Sequence, residues 1–117
     1  MVNFDNLNKM CSWEREKAMF LIKTAESLNI DIDGYGELAV NPNTGYTYLW
    51  LEDYNFTLYM PITCDLKITD IFALWTCSYC GQEEETSLKE DDVLSDIQER
   101  IDEIEQEHLK ESIECKN

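Results

Sequence analysis

GELAVNPNTGYTYLWLEDYNFTLYMPI, residues Gly36 to Ile62, decides the fold. Gly36 to Asn41 reads as a short strand, Tyr46 to Glu52 as a strong one and Phe56 to Ile62 as its partner. Between them, Pro42-Asn43-Thr44-Gly45 is a turn with a mechanism: Pro presets φ, and Asn and Gly tolerate positive φ. Asp53-Tyr54-Asn55 is a tight reversal. The product is an antiparallel β-meander. Alternation assigns its faces. Leu49, Leu51, Phe56, Leu58 and Met60 form a core face, while Tyr46, Tyr48, Trp50 and Tyr59 form an aromatic second face. For Tyr48 and Trp50 the preferred role is cross-strand packing under a covering helix. Tyr46, Tyr54 and Tyr59 are left as candidate contacts for a partner, because Tyr is enriched in protein interfaces.

Downstream, Leu66 to Ile68 and Ile71 to Thr76 read as further strand with a break at Asp70, and Gln82 to Leu88 as an antiparallel return. The sheet is thus expected over residues 36–88. Upstream, Ala18, Leu21, Ile22, Ala25 and Leu28 recur at helical spacing, which predicts a helix over residues 12–28 with Ser12 as its cap. Beyond residue 90 the period is helical again, through Leu94, Ile97, Ile101, Ile104 and Ile113, which predicts a long acidic helix over 90–114. The fold class is therefore α+β, a single domain over residues 1–117, large enough for one core.

The formal net charge is −16. Fourteen Asp/Glu against four Lys/Arg fall in the last 36 residues, and eleven against five in the first 81. Like charges held on a folded body repel one another, and the field they create attracts basic surfaces. Direct binding to nucleic acid or to an anionic membrane is disfavoured by the same sign. No apolar run spans a membrane and no signal peptide is visible at the N-terminus. Five cysteines then fit reduced thiols, so a cytoplasmic location is expected.

On the predicted C-terminal helix, Asp96, Glu99, Glu103, Glu107, Glu111 and Glu114 fall at steps of three or four, opposite the isoleucine stripe. Such a ridge mimics a phosphate backbone and fits a groove built for nucleic acid; the plain alternative is a solvated helix face. The narrow apolar stripe also has coiled-coil spacing, which would make the helix a homodimer seam.

Trp75-Thr76-Cys77-Ser78-Tyr79-Cys80-Gly81-Gln82-Glu83 resembles one half of a zinc ribbon: strand, CxxC, glycine and returning strand. Two thiolates three residues apart on a tight turn converge on one tetrahedral ion. The second CxxC of a ribbon is missing, and Cys64, Cys11, Cys115 and His108 are the further ligands available. The competing reading is a pair of ordinary reduced cysteines, with His108 as a boundary residue on the helix stripe. Asn29-Ile30-Asp31-Ile32-Asp33-Gly34 resembles the start of an EF-hand loop, but Val40 stands where the bidentate Glu belongs, so a polar helix-to-strand turn is expected. A nucleophile with triad partners and a phosphate-cradling glycine loop are both missing, so catalysis is not expected.

These features point to a non-enzymatic inhibitor that binds a basic, nucleic-acid-handling protein. In composition it looks like the small acidic proteins that phages direct against restriction or CRISPR nucleases, and like nuclease-immunity proteins. The alternative is a zinc-stabilised adaptor acting through the C-terminal helix.

Overall fold

Proline, asparagine and glycine at 42–45 and the short reversal at 53–55 leave each strand no partner but its neighbour, and the meander forms as the alternation requires. The computed structural model describes residues 2–114, with the side chains of residues 2–3 and 112–114 outside the description. Its elements are β1 (Val2–Asn3), α1 (Ser12–Ser27), β2 (Gly36–Val40), β3 (Thr47–Leu51), β4 (Thr57–Met60), β5 (Phe72–Thr76), β6 (Glu83–Ser87) and α2 (Leu94–Glu114). Strands β2 to β6 form an antiparallel sheet in sequence order, and β1 adds a short parallel pairing to β2. The protein is α+β.

Register decides which side chains share a face. Leu38, Leu49, Leu58 and Ala73 lie opposite one another across β2 to β5. All four are buried, with Leu51, Phe56, Met60, Ile71 and Trp75. Both helices cover this side. Helix α1 packs on β2, β3 and β4, sinking Ala18, Leu21 and Ala25, and Ile97 and Ile101 of α2 join the same cluster. Burying a side chain of Leu or Ile size contributes about 1.5–3 kcal/mol, so Ile97 and Ile101 anchor the first half of α2. Beyond Ile101 every described side chain of α2 is at least partly exposed.

Several boundaries differ from the sequence expectation for physical reasons. Ser12 is the first residue of α1; Cys11 precedes it as the cap, and its N–H donates to Glu14 Oε1 at 2.9 Å. The helix closes with Asn29 in the left-handed region (φ 60°) while the Ile30 N–H reaches back to the Ala25 carbonyl, a Schellman closure. In the following turn Asp31 Oδ1 accepts the Asp33 N–H at 2.9 Å, so that carboxylate serves the backbone. Residues 66–68 are not strand. Asp70 Oδ2 accepts the N–H groups of Asp65 and Lys67, Leu66 takes a φ of 55°, and Ile68–Asp70 form a 3-10 turn. A short polar side chain has outcompeted the ladder for the backbone. Trp13 Nε1 and the buried Lys17 Nζ hold the start of this loop through the carbonyls of Pro61 and Ile62.

Helix α2 begins at Leu94 rather than at residue 90. Asp92 accepts the Lys89 N–H and pairs with Arg100, and Asp96 accepts the Val93 N–H, so residues 89–93 are spent on a capped turn. None of the described helices is long and apolar enough to cross a membrane.

Candidate functional site

Strands β5 and β6 meet in the turn Cys77–Gly81, where Gly81 takes a φ of +74°. Its N–H donates to the Cys77 carbonyl at 3.0 Å and the Cys77 N–H to the Gln82 carbonyl at 2.8 Å. The tight loop leaves two sulfurs together, one buried (Cys77) and one exposed (Cys80). Helix α2 runs past this turn on the core side and delivers His108 to it. Nδ1 of His108 lies 3.3 Å from Cys80 Sγ, and the ligand atoms of Cys77, Cys80 and His108 all lie within 4.8 Å of one another. Nε2, the other ring nitrogen, stands 3.3 Å from Glu84 Oε1. A proton on Nε2 donated to that carboxylate leaves the Nδ1 lone pair facing the sulfurs, the outer-shell arrangement that orients metal-binding histidines. Glu105, one helical turn before His108, accepts the N–H and hydroxyl of Ser78, both at 3.2 Å. Helix and turn are thus fastened twice.

Electrostatics follow from this crowding. Burial pushes the Cys77 thiol up, but the N–H groups of Cys80 and Tyr79, with the Cys80 and His108 side chains, outweigh it and hold the thiol below its ordinary value. Cys80 is shifted the other way: the Gln82 N–H favours its thiolate, yet burial and the neighbouring Cys77 and Glu84 leave it raised. His108 is raised, chiefly by the hydrogen bond to Cys77 and secondarily by Glu84 and Glu111. A split pair of thiols is what two sulfurs sharing one proton give.

A tetrahedral zinc ion, with bonds of about 2.3 Å to sulfur and 2.0 Å to nitrogen, spaces its ligand atoms about 3.5–3.8 Å apart. The three atoms, all within 4.8 Å of one another and with Cys80 Sγ 3.3 Å from His108 Nδ1, come near that spacing. Among the sequence candidates, Cys77, Cys80 and His108 are brought together; Cys11 and Cys64 are not in the group, and Cys115 lies outside the described residues.

The acidic row is presented as its spacing requires. Glu99, Glu103, Glu107 and Glu111 are all exposed. Asp96 is half-buried and turned to the Val93 N–H, so it serves as a cap rather than as the first member of the ridge. The side chain of Glu114 lies outside the description.

The aromatic face takes a different place from the one expected. None of Tyr46, Tyr48, Trp50, Tyr59, Phe72 and Leu74 belongs to the core cluster, and no helix of the described residues lies over them; Tyr48 and Trp50 are half-exposed. Tyr46 stacks on Tyr59 (5.0 Å, 3°) and Tyr59 on Phe72 (5.3 Å, 17°), a three-ring layer across the sheet. Burial, then the Glu85 carboxylate that accepts the Tyr59 hydroxyl, pushes that phenol well above its usual range. Tyr54 is separate: its hydroxyl accepts the Asp31 N–H at 2.9 Å and its ring packs on the core beside Phe56.

Sequence reasoning left Glu84, Glu85, Glu105, Phe72 and Leu74 out of the sites. The available signal was hairpin register, which sets Glu84 opposite Trp75 and Glu85 opposite Leu74. Comparison with protein-family models, curated proteins and solved structures finds no match to this chain.

Proposed function

We propose that this protein is a non-catalytic acidic inhibitor that binds a basic, nucleic-acid-handling protein, such as a nuclease or an anti-phage defence effector. The carboxylates of α2 occupy the positions that phosphates take in the partner's groove, and a zinc ion on Cys77, Cys80 and His108 staples the helix to the sheet. One observation carries the reading. Glu99 and Glu103 are exposed on the side of α2 turned away from Ile97, Ile101 and His108, and Glu107 and Glu111, also exposed, continue the row at about 6 Å per four-residue step while winding back toward the His108 edge. A rigid rod bearing evenly spaced negative charge is what a phosphate-binding groove recognises. The metal supplies a cross-link between helix and turn, its fourth position going to water or to one further side chain.

The test is capture of partners from a nucleic-acid-depleted lysate, with salt-gradient elution and competing duplex DNA. Triple reversal Glu99→Lys, Glu103→Lys and Glu107→Lys removes three carboxylates and should lower affinity at least a hundredfold, mostly through slower association. Reversal at Glu16 and Glu26, exposed on α1, is the control. Glu14 is unsuitable for that purpose because it caps α1. Equal loss from both sets refutes the role of α2.

A second reading is favoured by the convergence of Cys77, Cys80 and His108: a zinc-stabilised adaptor whose α2 is a partner helix. A captured partner that is neutral or acidic, held equally well at high salt, selects it.

A further inference from the structure

We propose that the depression on the helix-free face of the sheet seats an arginine side chain of the basic partner. It is a hollow of about 320 Å³ whose lining includes Tyr46, Tyr48, Tyr59 and Leu74, with Glu83 and Glu85 among its polar groups. The inference rests on the reading that the partner is basic, and it concerns a surface on the other side of the sheet from α2.

Shape and charge together select the occupant. Tyr59 is stacked between Tyr46 and Phe72, so it backs one face of Tyr46 and leaves the other face of that ring as the π surface on which a planar cation stacks. Glu85 is already oriented, because the Tyr59 hydroxyl donates to its Oε2, and among the described residues no hydrogen bond is made to its Oε1. A guanidinium laid on the Tyr46 ring can donate to that oxygen and to Glu83, while its methylenes cover Leu74. Lysine offers a compact, strongly hydrated charge that neither stacks nor forks. An apolar occupant would strip water from two carboxylates without replacing it. An anion is repelled, and a second copy of this chain would set Glu83 and Glu85 against their own duplicates within a protein of net charge −16.

The probe is acetyl-Gly-Arg-Gly-amide, titrated into the full chain and followed by amide chemical shifts. Its citrulline and lysine counterparts are run beside it; citrulline keeps the shape and loses the charge. Shifts should concentrate at residues 46–48, 57–59 and 83–85, with the citrulline and lysine peptides at least about tenfold weaker. Tyr46→Ala and Glu85→Gln should each weaken the arginine peptide about tenfold. Both positions are at least partly exposed, and each substitution checks the other against a folding defect. The α2 triple reversal, which acts on the peptide only through the screened overall field, should weaken it far less than Glu85→Gln does. Citrulline or lysine binding as tightly as arginine, shifts centred on α2, or indifference to both substitutions would overturn the pocket. The two ideas fail separately: the peptide series tests the pocket without any partner, and partner capture by the α2 variants tests the ridge without the pocket.

Discussion

Replacing His108 by Ala should abolish a large zinc-dependent stabilisation of the fold, and its size can be worked out. A ligand that binds only the native state adds RT ln(1 + [L]/Kd), about 4 kcal/mol at a thousandfold excess over Kd. Unfolding entropy of about 2.1 cal/mol/K per residue gives about 0.25 kcal/mol/K for 117 residues. Saturating zinc should therefore raise Tm by about 15 °C over protein stripped with EDTA. Cys77→Ser, Cys80→Ser and His108→Ala should each erase most of that shift, whereas Cys64→Ser and Cys11→Ser should keep it, since neither sulfur belongs to the group. The local readout is amide exchange. Past Ile101 none of the described α2 side chains is fully buried, so metal removal should free residues 105–111 while Ile97 and Ile101 keep the first two turns protected. Differential scanning calorimetry with and without EDTA, and elemental analysis of the purified chain, measure both. Less than 0.2 zinc per chain with Tm moving under about 2 °C would refute the metal centre, as would a Cys64→Ser variant as damaged as His108→Ala.

Two further outcomes concern the scaffold. Asp92→Asn removes a two-pronged partner from Arg100, with bonds of 2.6 and 2.8 Å and an Asp92 side chain only 5% exposed, and should cost about 2–3 kcal/mol in urea unfolding at pH 7. The Arg100 hydrogen bond, then the Lys89 N–H, holds the Asp92 carboxyl below its ordinary value. Its contribution is thus fully present above the unfolded value near 3.9 and is lost as pH falls through the lower folded value. The gap between wild type and variant should persist from pH 7 to about 4 and close below it; a gap unchanged at pH 2 contradicts this. Gly36→Ala would set a Cβ 2.4 Å from the Trp50 carbonyl oxygen and 2.8 Å from Leu51 Cδ2, forcing β2 off β3 at a cost of about 1–3 kcal/mol. An unchanged Tm would contradict that contact.

What was legible in the sequence and what was not divide along a physical line. Leu49, Leu51, Phe56, Leu58 and Met60 were readable because alternation is enforced by the pleat itself, and all five are buried. The stretch 61–70 was not: Ile and Leu there have strand character, but Asp70 takes two backbone donors from the ladder, a competition that composition does not rank. His108 lay on the apolar stripe of its helix in sequence. Only the placement of α2 beside the β5–β6 turn makes it a partner of Cys77 and Cys80, and helix placement is a tertiary fact. The aromatic face was readable as a face, whereas its exposure depended on which side of the sheet two helices chose. Both pack on the leucine side.

That choice gives the charge of this protein two opposite consequences, and salt separates them. Glu84 on β6 lies beside His108 with Glu111 of α2 close by, and Glu105 of α2 is fastened to the adjoining turn, so the native state concentrates like charges that the unfolded chain spreads apart. Raising ionic strength screens this repulsion, and the Debye length falls from about 10 Å at 0.1 M to about 3 Å at 1 M. Tm should therefore rise with sodium chloride over that range, the reverse of a protein held by surface ion pairs. Association with the proposed basic partner would be driven by the same field acting outward, so its on-rate should fall over the same range. The proposed arginine on Tyr46 would be screened less, since a stacked contact is short and partly dry, so dissociation should respond weakly to salt. Thermal melts and stopped-flow association on one salt series give all three slopes. A Tm that falls with salt would show that the carboxylates are paired within the fold, and would leave no free field to recruit a partner.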